Sequence, residues 1–516
     1  MERKKIIILL IFVIGVASFL RLYNIDETPP GLYPDEAMNG NNVLEVLATG
    51  EYKVFYPENN GREGLFMNIQ ALSVYIFGNE PWALRGVSAL FGILTVLGLY
   101  FLTKELFSCE IIKIYESAKV KIALLSSFFL ATSFWHILFS RIGFRAIMAP
   151  FFLTWGIYFL LLALRQIKEQ KTPKFYIMNS IFSGILYGLG FHSYIAYRAT
   201  PILVLIIIAL HWLQNKNWQI RKKILLSTCC FLLAAFVVAA PLGLYFLNNP
   251  QDFMGRTTQV SVFSSPSPLK DLSVNILKTA GMFNFSGDYN WRHNYAGKPL
   301  LFWPVGILFL IGILLGLRMF FEKASRRPGG LREEYSQAFL VLFSWLIIAA
   351  LPVIVSNEGI PHALRAILMA PAVFILAGVG GVWLMEKIKN PRLPIKIFNF
   401  TLSFYVLIFT FCIWLIFNAY NSYFIKWGKS EHIAGAFAAE YVKIGRELNT
   451  LPKELPKYVV VETGGVLVRG IPMPTQTIMF ITNTFTPEKQ KEKNIYYVLP
   501  EQKNQIPENS YQVILR

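Results

Sequence analysis

Eleven stretches of this chain are apolar for long enough to cross a lipid bilayer. They lie near residues 6–22, 83–103, 120–138, 146–163, 176–192, 199–213, 224–247, 300–318, 337–355, 365–385 and 397–418. A crossing segment needs roughly 20 mostly apolar residues, and in hydrocarbon only helices and closed barrels satisfy their own backbone hydrogen bonds. Smooth runs of this length predict helices, so the fold class expected is an all-α polytopic membrane protein. Composition agrees, with 54% of residues hydrophobic and 16% charged, outside the usual mix of a soluble domain.

The formal net charge of +18 would suggest nucleic acid in a soluble protein, but here the cations sit in alternate short connections. Examples are Lys104, Lys119 and Lys121, then Arg165, Lys168, Lys171 and Lys174, then Lys216, Arg221, Lys222 and Lys223. The positive-inside rule places those connections in the cytoplasm and removes the need for a nucleic-acid partner. The opening MERKK has the same sense. No small-residue cleavage site follows the first apolar run before Arg21, so that run reads as a retained span of a multi-pass cell-membrane protein with a cytoplasmic N-terminus. An odd number of spans then puts everything after about residue 419 outside. Cys109, Cys229, Cys230 and Cys412 occupy a cytoplasmic connection or apolar runs, and suggest neither a disulfide framework nor a zinc site.

Two outer connections, 23–82 and 248–299, are too long to be turns, and loops of that size are usually functional or disordered. The first contains helical periodicity near 35–48 and 64–77, suited to helices lying at the interface. The tail has a helical stretch near 430–449 and strand-like runs at 458–462, 477–482, 495–499 and 511–515. The expected organisation is a transmembrane domain over 1–418, including both loops, followed by a small extracytoplasmic α/β domain over 419–516.

Four arginines break the positive-inside pattern. Arg85, Arg145, Arg198 and Arg365 each stand at the outer start of an inward-running helix, where free backbone N–H groups and the helix dipole already favour an anion. A guanidinium added there makes a phosphate site, with snorkelling to lipid headgroups as the bland alternative. Tyr194 and His362 stand at the same level. In the first loop, Asp35 and Glu36 follow the rigid PPGLYP segment and open a helix. Capping explains them structurally; the functional reading makes one a general base towards an acceptor and the other its support, because neighbours on a helix point about 100° apart. Glu63 precedes the second interfacial helix and can return to the same site. Asp288, Trp291, Arg292 and His293 in SGDYNWRHNYAGKP form an aromatic and polar cluster suited to a sugar. The residues compel no cofactor. A divalent metal would need His293 with Glu63 or another acid of the first loop.

The segments LYPDEAMNG, GEYKVFYPENNGREGLFMNIQALSVYIFG and PWALRGVSALFG, followed by SRIGFRAIMAP, YIAYRATPI and EGIPHALRAILMAP, resemble the protein O-mannosyltransferase and aminoarabinose transferase superfamily of type C (GT-C) glycosyltransferases, in its bacterial form. The resemblance covers roughly residues 1–385. It implies the GT-C fold and an inverting transfer of a sugar from a polyprenyl-phosphate carrier to an acceptor (protein, lipid or cell-envelope glycan) on the extracytoplasmic face. By position Asp35 looks like the catalytic acidic residue, Glu36 its partner and Glu63 the acid by the second helix. Arg198 or Arg365 would hold the donor phosphate, with Arg145 and Arg85 in support and Tyr194, His362, His293 and Glu63 around the substrate. One departure is that Ala37, Met38 and Asn39 follow the acidic pair where aminoarabinose transferases usually place an Arg. Rival classes are a transporter or flippase of lipid-linked sugars and an O-antigen ligase or polymerase-like enzyme.

Overall fold

The computed structural model describes residues 2–108, 113–253, 261–323, 331–389 and 400–516; Cys109 and the segments 254–260, 324–330 and 390–399 lie outside them. Helices follow the apolar runs closely. In chain order they are α1 (Arg3–Leu22), α2 (Pro34–Thr49), α3 (Leu65–Phe77), α4 (Pro81–Leu106), α5 (Lys113–Ala131), α6 (Phe134–Ser140), α7 (Met148–Lys168), α8 (Pro173–Gly190), α9 (Pro201–Gln214), α10 (Trp218–Asn248), α11 (Pro268–Gly281), α12 (Trp303–Lys323), α13 (Leu331–Ile354), α14 (Ala370–Lys389) and α15 (Phe400–Tyr420). Four shorter helices complete the series: α16 (Glu431–Ala436), α17 (Ala439–Thr450), α18 (Gln476–Thr482) and α19 (Pro487–Lys493).

Among the described residues, nine helices are long and apolar enough to cross a membrane, and the pair α5–α6, bent by 61°, is so when its two helices are taken together. The remaining expected span is α8, whose Asn179, Ser180, Ser183 and three glycines dilute its hydropathy; it packs between α7 and α10. Close approach elsewhere uses small residues, as helix packing in lipid favours. A Cβ on Gly312 of α12 would stand 2.0 Å from the Leu376 carbonyl of α14. Large apolar side chains remain outside on several of these helices, among them Leu205, Phe236, Leu314 and Phe409, the surface of a protein solvated by lipid.

The break between α5 and α6 has a definite cause. Arg21, fully buried at the end of α1, donates to the terminal carbonyls Leu130 O at 3.3 Å and Ala131 O at 3.1 Å, and reaches His136 Nδ1 at 2.8 Å. The guanidinium thus caps one helix where the next begins. Arg141, also buried, donates to Asn24 O and Thr28 O at 2.9 and 2.8 Å. These two cations fasten the chain just ahead of Asp35 to the helical bundle.

The C-terminal region carries a three-stranded parallel sheet in the order β6–β3–β7, made of Ile495–Val498, Lys457–Val461 and Tyr511–Leu515, with a small hairpin of β4 (Leu467–Val468) and β5 (Ile471–Pro472). A pair of two-residue strands, β1 (Phe55–Tyr56) and β2 (Arg62–Glu63), closes the first loop. The run at 477–482, expected as a strand, is helix α18 instead. Nearly every residue of it is buried, against α2 and α17, and a short apolar run buried on all sides has no periodicity to separate the two conformations. α18 also ties the tail to the first loop: Thr477 Oγ1 donates to Leu32 O at 2.9 Å, and Asn41 Nδ2 donates to Gln476 Oε1 at 2.9 Å. The first loop, the loop after α11 and the tail therefore gather at one end of the bundle.

Candidate active site

Helix α2 starts at Pro34, and its first turn holds both acids. Glu36 turns inward and is completely buried. Its carboxylate accepts four hydrogen bonds: from Tyr33 N–H at 3.3 Å, Gly143 N–H at 2.6 Å, Arg85 Nε at 3.0 Å and Arg85 Nη2 at 3.2 Å. A carboxylate offers about four lone-pair sites, so Glu36 has none left for a substrate. Arg85, equally buried, spends its other N–H groups on Pro29 O and Gly31 O at 2.7 and 2.8 Å. Expected as a catalytic residue and a phosphate-binding cation, these two instead form an internal pair behind the site wall. The chain lets the tail close over them at Gly31, where φ is +76° and a Cβ would meet Phe437 O at 2.3 Å.

Asp35 points the other way, half-buried, into a cavity of about 290 Å³. Its Oδ1 accepts from Asn59 Nδ2 at 2.8 Å. Beside it Arg62 is buried on neutral partners, Asn39 Oδ1 at 2.7 Å and Asn42 Oδ1 at 2.6 Å; burial above all, with neighbouring Arg145, pulls its guanidinium down to about 10. Tyr33 lies under Arg292, whose guanidinium carbon is 4.1 Å from the ring centre. Burial, reinforced by Asp35, pushes the Tyr33 hydroxyl up to about 12, so it stays protonated. Arg62, Asn59 and Asn39 are not among the expected site residues because nothing in their local sequence shows which polar side chains will face the cavity.

Opposite stands the loop ahead of α12. Asp288, buried, accepts at Oδ1 from Asn290 N–H at 2.8 Å and at Oδ2 from Ala363 N–H at 2.9 Å. The stacked rings of His293 and His362, 4.7 Å apart, turn Nδ1 towards that Oδ2 at 3.3 and 3.9 Å. These three donors lie within 4.8 Å of one another, close enough to share a metal ion. Glu63 does not join them: it pairs with Arg145 at 2.8 Å and approaches Arg198 at 3.9 Å. The metal set expected from His293 and Glu63 is thus replaced by one in which His362 and Asp288 stand for the glutamate.

A second cavity, about 410 Å³, adjoins the first. Its walls are Ile195, Phe263, Leu351, Pro352 and Val355 with Arg198 at the edge, and it shares Tyr194 and Arg365 with the polar cavity. Arg365 donates to Ser356 Oγ and to Glu358 O, and pairs with the exposed Glu358 carboxylate at 3.1 Å. Arg198 stacks on Phe253, 4.5 Å from the ring centre, and donates to its carbonyl. Of the residues expected at the site, Asp35, Arg145, Tyr194, His293, His362 and Arg365 line the polar cavity and Arg198 the apolar one, while Glu63 stands behind Arg145.

Residues 65–243 match the family of dolichyl-phosphate-mannose-protein mannosyltransferases. Solved structures share the architecture at low identity. ArnT from Cupriavidus metallidurans, bound to undecaprenyl phosphate, aligns with 99% of this chain and 93% of its own at 15% identity and a TM-score of 0.54. The oligosaccharyltransferase AglB from Archaeoglobus fulgidus, in complex with an inhibitory peptide and a dolichol-phosphate, aligns with 98% of this chain and 70% of its own at 12% identity and a TM-score of 0.53. The same archaeal enzyme tethered to an acceptor peptide gives 13% identity and a TM-score of 0.52, and this chain spans 66% of its length. No curated protein sequence matches. The chain is thus similar over residues 65–243 to that family, and it shares with these solved glycosyltransferases the fold of a multi-pass membrane protein.

Proposed function

We propose that this protein transfers a sugar from a polyprenyl-phosphate donor to an acceptor on the extracytoplasmic face, with inversion at the anomeric carbon. The observation that carries the reading is the pair of cavities joined at Tyr194 and Arg365. A lipid-linked sugar is a polar head, an anionic phosphate and an apolar tail, and the two spaces with a cation between them have that order. The relatives solved with undecaprenyl phosphate and dolichol-phosphate support the donor class. The alternate lysine and arginine connections support the outer placement of the site.

In the proposed step Asp35 takes the proton of the acceptor hydroxyl or amine as that atom bonds to the anomeric carbon. The bond from that carbon to the phosphate oxygen breaks, and the electron pair leaves with polyprenyl phosphate. Arg365, Arg198 and Arg145 stabilise the departing charge in a site of low dielectric, where fixed cations act most strongly. Glu358, exposed on its far side, can swing off Arg365 at little cost when phosphate arrives, since exposed ion pairs are worth only about 0–1 kcal/mol. Glu36 and Arg85 hold the first turn of α2, and with it Asp35, against the bundle.

The reading is tested in proteoliposomes given a radiolabelled polyprenyl-phosphate sugar and a membrane extract as acceptor source. Label should move to an acceptor and free polyprenyl phosphate should accumulate; translocation of the intact donor without transfer would replace this reading by a flippase. Arg365→Ala should raise the donor KM by about 10- to 100-fold, the loss of one charge-assisted hydrogen bond to phosphate, and an unchanged KM would remove Arg365 from the phosphate site.

Asp288, His293 and His362 also fit a divalent cation, two imidazole nitrogens and one carboxylate oxygen being a common zinc donor set. A metal held there would lend positive charge to the sugar–phosphate end of the cavity. Protein equilibrated with zinc and dialysed should retain about one equivalent, and Asp288→Asn with His293→Ala should retain none. Equal retention in both would leave the three residues as a hydrogen-bonded cluster only.

A further inference from the structure

Helix α11 is built inside out. Its buried positions are polar, Asn275 and Thr279, whereas Leu269, Ile276 and Leu277 face away from the protein with 78%, 47% and 73% of their surface exposed. Residues 269, 273, 276, 277 and 280 fall on one face at helical spacing, and none of them is charged. A helix at a water surface buries its apolar stripe and shows its polar one; α11 does the reverse. The flanking chain continues the pattern, with Phe263 before it and Phe285 after it also exposed.

Its place in the fold agrees. Asn275 Nδ2 donates to Ile354 O at 3.0 Å and Ser356 O at 2.7 Å, so α11 is fixed at the point where the spanning helix α13 ends. In turn α13 packs against the spanning helix α9, whose Ile202 and Leu205 are exposed, so α11 is anchored on a helix that borders surface given to lipid. Lys270 and Lys278 stand exposed on the same helix, suited to anionic headgroups. The segment leading into α11 is stitched to α13 through Val262 N–H to Val355 O at 2.8 Å, which sets Phe263 in the wall of the apolar cavity. Ser356, held by Asn275, in turn accepts from Arg365.

We propose that α11 lies in the plane of the bilayer interface with Leu269, Ile276 and Leu277 among the acyl chains, and that together with Phe263 it walls the lateral route by which an isoprenoid tail reaches the apolar cavity. The partner of this face is the lipid leaflet itself, anionic headgroups meeting the two lysines. The seating follows from the polarity of the helix alone. The route rests on the donor reading above.

Nitroxides placed one at a time at positions 269, 270, 276, 277 and 278, with the native cysteines replaced by serine, test the seating in bilayers of phosphatidylethanolamine and phosphatidylglycerol. Labels at 269, 276 and 277 should collide with oxygen in preference to a water-soluble nickel chelate, the label at 278 should show the opposite, and that at 270, two turns from 277 on nearly the same line, should fall between them. Chelate access at 277 equal to that at 278 would overturn the seating. For the route, Ile276→Asp with Leu277→Asp should weaken retention of undecaprenyl phosphate by tenfold or more and leave a water-soluble ten-carbon isoprenyl phosphate unaffected. No loss, or equal loss of both, would overturn the route. If the unaltered protein retains neither phosphate, the donor reading fails, and the seating is still decided by the nitroxides.

Discussion

Asp35→Asn should lower the turnover of sugar transfer by about 10²- to 10⁴-fold, the usual worth of a positioned general base, with the donor KM and the thermal midpoint nearly unchanged. The substitution keeps the shape of the side chain and an oxygen that can still accept from Asn59 Nδ2, as Asp35 Oδ1 does. What it removes is the charge and the basicity. Because Asp35 is half-buried at a cavity wall rather than in the core, the fold does not depend on its ionisation. The decisive measurement is single-turnover transfer with saturating donor. Undiminished rates in a correctly folded Asp35→Asn protein would show that another group takes the proton, and Asn59→Ala, which frees Asp35 to rotate, should give an intermediate loss in kcat.

Much of the architecture is legible in the chain because bilayer physics is a severe filter: long apolar runs have one outcome, and cations sort the connections. The two helices before α4, α2 and α3, follow from periodicity. What the sequence conceals is pairing across distance. Nothing local announces that Glu36 will be saturated by a guanidinium 49 positions away, or that Asp288 and His293 will meet His362. Arg85 and Arg365 look alike as sequence, each a cation at the start of an apolar helix. Only packing shows that one is buried on a carboxylate and two backbone carbonyls while the other borders both cavities. Helix α11 was concealed for a different reason, since a pattern of apolar and polar positions does not say which medium the apolar side will face.

The buried pair yields the second large effect, expressed in stability. Arg85→Met leaves the Glu36 carboxylate in a dry pocket with only the Tyr33 and Gly143 N–H groups to hold it, and Glu36→Gln leaves Arg85 without a counter-charge. Removing one partner of such a pair destabilises by about 3–5 kcal/mol, whereas removing both together is often far milder. Each single variant should therefore show a large fall in thermal midpoint and the double variant Glu36→Gln with Arg85→Met a partial recovery, a coupling that a double-mutant cycle measures directly. Activity should not recover with stability. The pair joins the first turn of α2 to α4 and, through Gly143 N–H, to the connection that carries Arg145. A repacked neutral pair restores volume but lacks the fixed fork of the guanidinium, which also holds Pro29 O and Gly31 O. The double variant should thus fold and bind donor while turning over slowly, because Asp35 is no longer held where the acceptor proton is delivered. A double variant with full turnover would show that Asp35 is aligned without the pair.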